Sequence, residues 1–198
     1  MPETASYSVQ AAVAGTTYVR TSSVSGTNVE RATPSVPAAK PGVLTTRTDN
    51  DTGTFTMDAG HGFSTSDAVD VFWAGGSRRA MTATVTGNSV VLDGGSGDTL
   101  PAAATAVTAM KPVEVAFGVD ATATGVAVVA ACPVSGWVVF RDAADAVLLA
   151  ARVPAGVNAY VWVTGMGSNP LAGAAVGNVL VSHADATQAQ TVTAAVVF

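Results

Sequence analysis

Along most of the chain, apolar and polar residues alternate with a period of two, and Val and Thr gather in short runs divided by Gly, Pro, Asn and Asp. That pattern predicts strands. In AVDVFW, residues 68 to 73, Val69, Val71 and Trp73 fall on one face and Asp70 and Phe72 on the other. AGG then turns the chain into SRRAMTATV, giving a hairpin. A second hairpin is predicted in ATVTGNSVVL, where Gly87-Asn88 joins two β-rich arms, because tight two-residue turns need positive φ. Farther on, VEVAFGV, GVAVVAAC, GWVVFRD, AVLLAARV, NAYVWVTG, GNVLVSH and QTVTAAVVF recur at the spacing of an antiparallel sandwich. Trp137, Val139 and Arg141 oppose Val138 and Phe140, and Tyr160 and Trp162 oppose Val161 and Val163. Strands with two apolar faces lie between layers or under a neighbouring subunit. No helix is expected: LPAAATAVTAM is interrupted by Thr and Val and led by Pro, which predicts an irregular connection.

The N-terminal segment reads differently. YSVQAAV and TYVRTSSV are short and polar, and ATPSVPAAKPG carries Pro34, Pro37 and Pro41, which favour extended chain over a central strand. The expected fold is all-β: a small antiparallel barrel or hairpin domain followed by a β-sandwich, with an extended N-terminal arm. The expected division is an arm over 1–41, a small antiparallel β domain over 42–111 and a sandwich over 112–198, with the boundary near Lys111-Pro112.

Charge sharpens this picture. Only 12% of the 198 residues are charged, about half the usual share, and the mean hydropathy is +0.40. So neutral a surface is poorly protected against association, which points to obligate assembly. The net charge is -5, and among the nine basic residues only Arg78 and Arg79 are adjacent, so no basic stripe is available to follow phosphates; no nucleic-acid partner is expected. Cys132 is the single cysteine, which excludes an internal disulfide and predicts a buried inert thiol. MPETASYSVQ lacks the features of a signal peptide and no apolar run reaches membrane-helix length, so the expectation is a soluble protein made in a cytoplasm, with no membrane partner.

Candidate chemistry is thin. Asp49-x-Asp51-x-Gly53 resembles the opening of a calcium loop, but the twelfth position, where a bidentate carboxylate belongs, is Gly60. Asp, Asn and Gly also close turns, and a turn is expected. DGGSGD, with Asp93 and Asp98, lacks the lysine and following helix of a phosphate loop and is read as a flexible turn. His61 and His183 are the only histidines. Ser182, His183 and Asp185 gather the residue types of a catalytic triad, but strand neighbours point to opposite faces. A sugar platform from Trp73, Trp137, Tyr160 and Trp162 is weighed against core packing, which their apolar strands favour. No catalytic, cofactor-binding or metal residue is assigned.

The stretch from Gly42 to Met110, above all LTTRTDNDTGTFTMDAGHGFSTSDAVDVFWAGGSRRAMT and LDGGSGDTLPAAATAVTAM, resembles β-rich virion structural modules of tailed bacteriophages and related prophages. NPLAGAAVGNVLVSHAD near the C-terminus extends the likeness. The resemblance implies a non-enzymatic subunit without cofactors, assembled in the bacterial host cytoplasm and located in the virion. A capsid decoration or cement role comes first and a tail-tube or neck role second. Its expected partners are further copies of itself and the major capsid protein or other virion proteins, with residues 1–41 as the contact that orders on assembly. A carbohydrate- or receptor-binding module is the reading from another class, and a hydrolase or calcium-dependent lyase stands third.

Overall fold

The computed structural model describes residues 6–11, 18–24, 27–116, 125–129, 134–153, 155, 160–162 and 176–197. All regular structure among them is β. The first strands are β1 (Ser6–Ala11), β2 (Tyr18–Val24), β3 (Thr27–Thr33) and β4 (Ser35–Val36). Then come β5 (Lys40–Arg47), β6 (Thr52–Met57), β7 (Ala68–Trp73), β8 (Gly76–Thr86), β9 (Ser89–Asp93), β10 (Ser96–Gly97) and β11 (Thr105–Met110). The remainder are β12 (Val113–Ala116), β13 (Gly125–Val129), β14 (Gly136–Arg141), β15 (Val147–Val153), β16 (Tyr160–Trp162), β17 (Asn178–His183), β18 (Gln190–Thr191) and β19 (Thr193–Val197).

Two compact units form, both from separated stretches of sequence: 37–112 with 182–189, and the described parts of 1–36, 113–181 and 190–198. The first is bounded in sequence at 36/37 and 112/113 and takes in the octapeptide 182–189.

That first unit is a closed barrel. Its strands run β8-β7-β11-β5-β6-β9, all antiparallel, and β9 pairs back onto β8 to shut the ring, with β10 added beside β8. Alternation places Leu44, Phe55, Met57, Val69, Val71, Met81, Val90 and Leu92 inside, each at most 1% exposed. Burying one such large side chain contributes about 1.5–3 kcal/mol. Closure needs extra curvature, and two bulges supply it. Thr45 is the extra residue of β5 between the pairs Leu44↔Phe55 and Thr46↔Thr54, and its hydroxyl donates to the Thr54 carbonyl at 2.9 Å. On β8, Arg79 and Ala80 stand between the pairs Val71↔Arg78 and Val69↔Met81, with Ala80 at φ 55°. The Gly87-Asn88 hairpin forms as predicted, closed by the pair Thr86↔Ser89 with positive φ at Gly87.

One expectation is corrected. The second half of LPAAATAVTAM is β11, a central barrel strand between β5 and β7, not an irregular connection. Val107 and Ala109 alternate inward at 4% and 0% exposure, and Thr105, Val107 and Thr108 give the segment the β-branched content of a strand, which Pro101 and the preceding alanines 102–104 masked.

In the second unit β1-β2-β3-β19-β13-β16 form a six-stranded antiparallel sheet. Within the expected arm, β1, β2 and β3 thus form a ladder, and β3 pairs with β19 through Ala32↔Ala194 and Val29↔Val197, while Lys40 and Pro41 pair with β11 in the barrel. A four-stranded sheet runs β12-β17-β14-β15, and β18 pairs with β4. Both faces of β14 are largely apolar as read, with Val138, Val139 and Phe140 all buried.

Candidate functional site

The acidic run is a turn. The Asp49 carboxylate accepts the N–H groups of Asp51 at 3.0 Å and Thr52 at 2.7 Å, an Asx turn between β5 and β6. Those donors, that of Asp51 foremost, hold the Asp49 carboxyl below its ordinary pKa. Asp51 has another task, lying 3.5 Å from the guanidinium of Arg78.

Arg78 also explains the glycine-rich loop. Its Nε donates to the carbonyl of Gly94 at 2.6 Å, Nη2 to Gly95 at 3.1 Å and Nη1 to Asp98 at 3.1 Å. A phosphate loop turns N–H groups inward, whereas this loop turns carbonyls inward around a cation that the chain supplies itself. The expected flexible turn is therefore a fastened one, and β10 and the Asp98 bonds to Ser77 fix it further. Gly95 and Gly97 are required by it: a Cβ on either would meet a carbonyl oxygen, of Arg79 at 2.3 Å and of Ser77 at 2.5 Å. The contact follows from the predicted Gly87-Asn88 hairpin, whose register from Thr86↔Ser89 to Thr82↔Asp93 continues to Arg79↔Ser96 and Arg78↔Gly97, although the hairpin read from the sequence does not extend that far.

Ser182, His183 and Asp185 do not form a triad. The Ser182 hydroxyl donates to Asp70 at 2.5 Å. His183 is fully buried, and its Nδ1 accepts the Asp185 backbone N–H at 3.1 Å. The Asp185 carboxylate accepts from both the hydroxyl and the N–H of Thr187. What the sequence missed is Asp70 itself, 3% exposed on the outer side of β7, where it also accepts the bulged Ala80 N–H at 2.8 Å. Burial raises its carboxyl pKa, against the opposing effect of Ser182, Ala80 and the charge of Arg79.

His61 is spent on structure. Its Nδ1 accepts the Phe63 N–H at 3.0 Å, which leaves Nε2 to donate to the Gly87 carbonyl at 3.1 Å. Trp73 packs against the barrel core, its ring lying where a Cβ on Gly76 would fall 2.4 Å away. Trp137 is half-buried on β14; Cys132 and the side chains of Tyr160 and Trp162 lie outside the described residues. In the second unit Arg141 joins Glu114 at 2.9 Å, Asn178 at 3.0 Å and Asp145 at 3.5 Å, a network tying β12, β14 and β17. Among the described residues no three His, Cys, Asp or Glu side chains are grouped to hold a metal ion.

The least expected feature is the outer wall of the barrel over β6, β9 and β8. Cross-strand register stacks three rows: Thr52, Asp93 and Thr82; Thr54, Val91 and Thr84; Thr56, Ser89 and Thr86. All nine are exposed or half-exposed, and Asp93 is the single charge, its carboxylate accepting the Thr52 hydroxyl at 2.6 Å. The signal was in the sequence as TGTFT and TATVT, two period-two threonine runs whose inward partners build the core.

Comparison of the chain with protein-family models, with curated proteins and with solved structures finds no match.

Proposed function

We propose that this chain is a non-enzymatic structural subunit of a phage virion, most simply a capsid decoration protein, that acts by associating with its own copies and with the shell. The observation that carries the assembly part is the three-row wall of β6, β9 and β8, which displays hydroxyls and Val91 with one carboxylate among nine side chains. A soluble domain ordinarily scatters Lys and Glu over such a wall to keep copies apart. This one carries a single charge there, Asp93, and the wall lies on a closed barrel, so little ordering is required when a partner covers it. The virion part rests on the resemblance of Gly42 to Met110 to phage structural modules.

Sedimentation at micromolar concentration tests the assembly part: a trimer or larger ring is expected, and a clean monomer removes the reading. Particles assembled without the chain test its place in the virion. Complete but fragile particles fit a decoration protein, whereas loss of tails shifts the role to a tail-tube subunit.

A further inference from the structure

The chain contains two lysines, Lys40 and Lys111, and both line one depression of the barrel unit. Each precedes a proline, Pro41 or Pro112, which keeps the lysine backbone extended. Lys40 starts β5 opposite Ala109 of β11, and Lys111 follows Met110 at the end of β11, so their stems rise from adjacent strands. Between them lie Ala38, the ring of Phe63, Met110 and His61. Both nitrogens of His61 are bonded to backbone, so it offers its ring and not a polar group. The depression is thus an apolar floor with two ammonium groups carried at the rim on methylene stems. Lys111 meets Asp67 at 2.8 Å, while Lys40 makes no ion pair among the described residues.

We propose that this depression is a docking pocket for a single apolar side chain flanked by carboxylates on a partner polypeptide. Size argues for a side chain: the volume is about 170 Å³, whereas pockets that enclose a small-molecule ligand run from roughly 300 to 1,000 Å³. Charge argues for flanking acids, because Lys40, with no ion pair among the described residues, and Lys111, bonded to one carboxylate oxygen of Asp67, are both carried at this one rim. An anchor in a pocket with complementary rim charges is the usual economy of a specific contact. The inference does not rest on self-association of the chain.

The test uses full-length protein labelled with ¹³C in the methionine methyl groups, with Met110 reporting on the pocket and the core residues Met57 and Met81 as controls. The probe is the acetylated, amidated peptide Glu-Asp-Leu-Asp-Glu. Met110 is expected to shift and saturate while Met57 and Met81 stay still. Lys40→Glu, at an exposed site, is expected to weaken binding at least about fivefold, and Ala38→Phe, which fills the depression, to abolish it. The proposal is overturned if Met110 does not respond up to about 10 mM peptide, a ceiling well above ordinary weak affinities. It also falls if a Lys-Arg-Leu-Arg-Lys control, or an Asp-Ser-Asp centre in place of Asp-Leu-Asp, shifts Met110 equally. If Met110 moves with protein concentration alone, the occupant is a second copy and the acidic-partner assignment is wrong.

Discussion

At the scale of single residues, the loop glycines and the aspartates carry opposite kinds of constraint. Gly94 and Gly95 both sit at positive φ, 74° and 76°, yet a Cβ on Gly94 meets nothing within 4 Å while one on Gly95 would press on the Arg79 carbonyl. Gly94→Ala should therefore cost only the left-handed backbone penalty, about 1–2 kcal/mol. Gly95→Ala should cost clearly more, since backbone must move; equal losses in urea denaturation would show that the close approach does not matter. The aspartates titrate with opposite sign. Asp49 is held below its usual pKa by turn N–H groups, so its contribution is present above the ordinary carboxylate range and lost as pH falls through the folded value. Asp70 is raised by burial above 3.8, so between that value and its folded one the native state keeps a proton that the unfolded chain releases. Stability should then decline as pH rises through that window and level off above it. Asp70→Asn should flatten this segment of the profile, with the amide still accepting from Ala80 and donating to Ser182. Asp70→Ala should instead leave both groups unpaired, at about 1–3 kcal/mol each.

Elements show why part of the fold could be read and part could not. The Gly87-Asn88 hairpin and the two faces of AVDVFW follow from neighbours within ten residues, and both stand as read. The opposition of Ser182 to His183 was legible for the same reason. By contrast, Ser182 reaches Asp70 across 112 positions, whereas Arg78 meets the loop carbonyls because β10 prolongs the Gly87-Asn88 hairpin in unbroken register beside β8. β11 was hidden because Pro101 and alanines 102–104 lead into it and blurred where its β-branched residues Thr105, Val107 and Thr108 begin a strand. The Arg78 cradle gives this a test. Replacing Arg78 by Ala leaves the carbonyls of Gly94, Gly95 and Asp98 without their donor and should cost roughly 3 kcal/mol, with little of it from the half-exposed Asp51. Lys should recover less than half of that, because a point charge cannot serve carbonyls that a planar fork reaches together. Urea midpoints of the two variants measure the difference, and full recovery by Lys would mean that charge alone organises the loop.

For the whole molecule, the question is what a wall with a single charge, Asp93, would do in contact with its own copies. A stable pairwise interface generally buries at least about 1,200 Å² in total, more than three short rows of small side chains supply from one pair of copies. Weak contacts of this kind become effective when each subunit makes several and a lattice or ring holds its neighbours close. Threonine suits that setting, since its methyl group packs and its hydroxyl can pair across the contact or with water. Val91 stands at the middle of the middle row, between Thr54 and Thr84, and is 36% exposed in the isolated chain. A lysine there should change the folding stability of one copy by no more than about 0.5 kcal/mol, as at other exposed sites. In an assembly it would bury a charge with no partner in every contact, which the coupling of many weak contacts then multiplies. Val91→Lys should accordingly leave the urea midpoint in place and reduce the sedimenting mass to that of a monomer. Should the variant keep both its midpoint and its assembled mass, copies meet through some other surface; should it lose the midpoint, Val91 is already covered within the single chain.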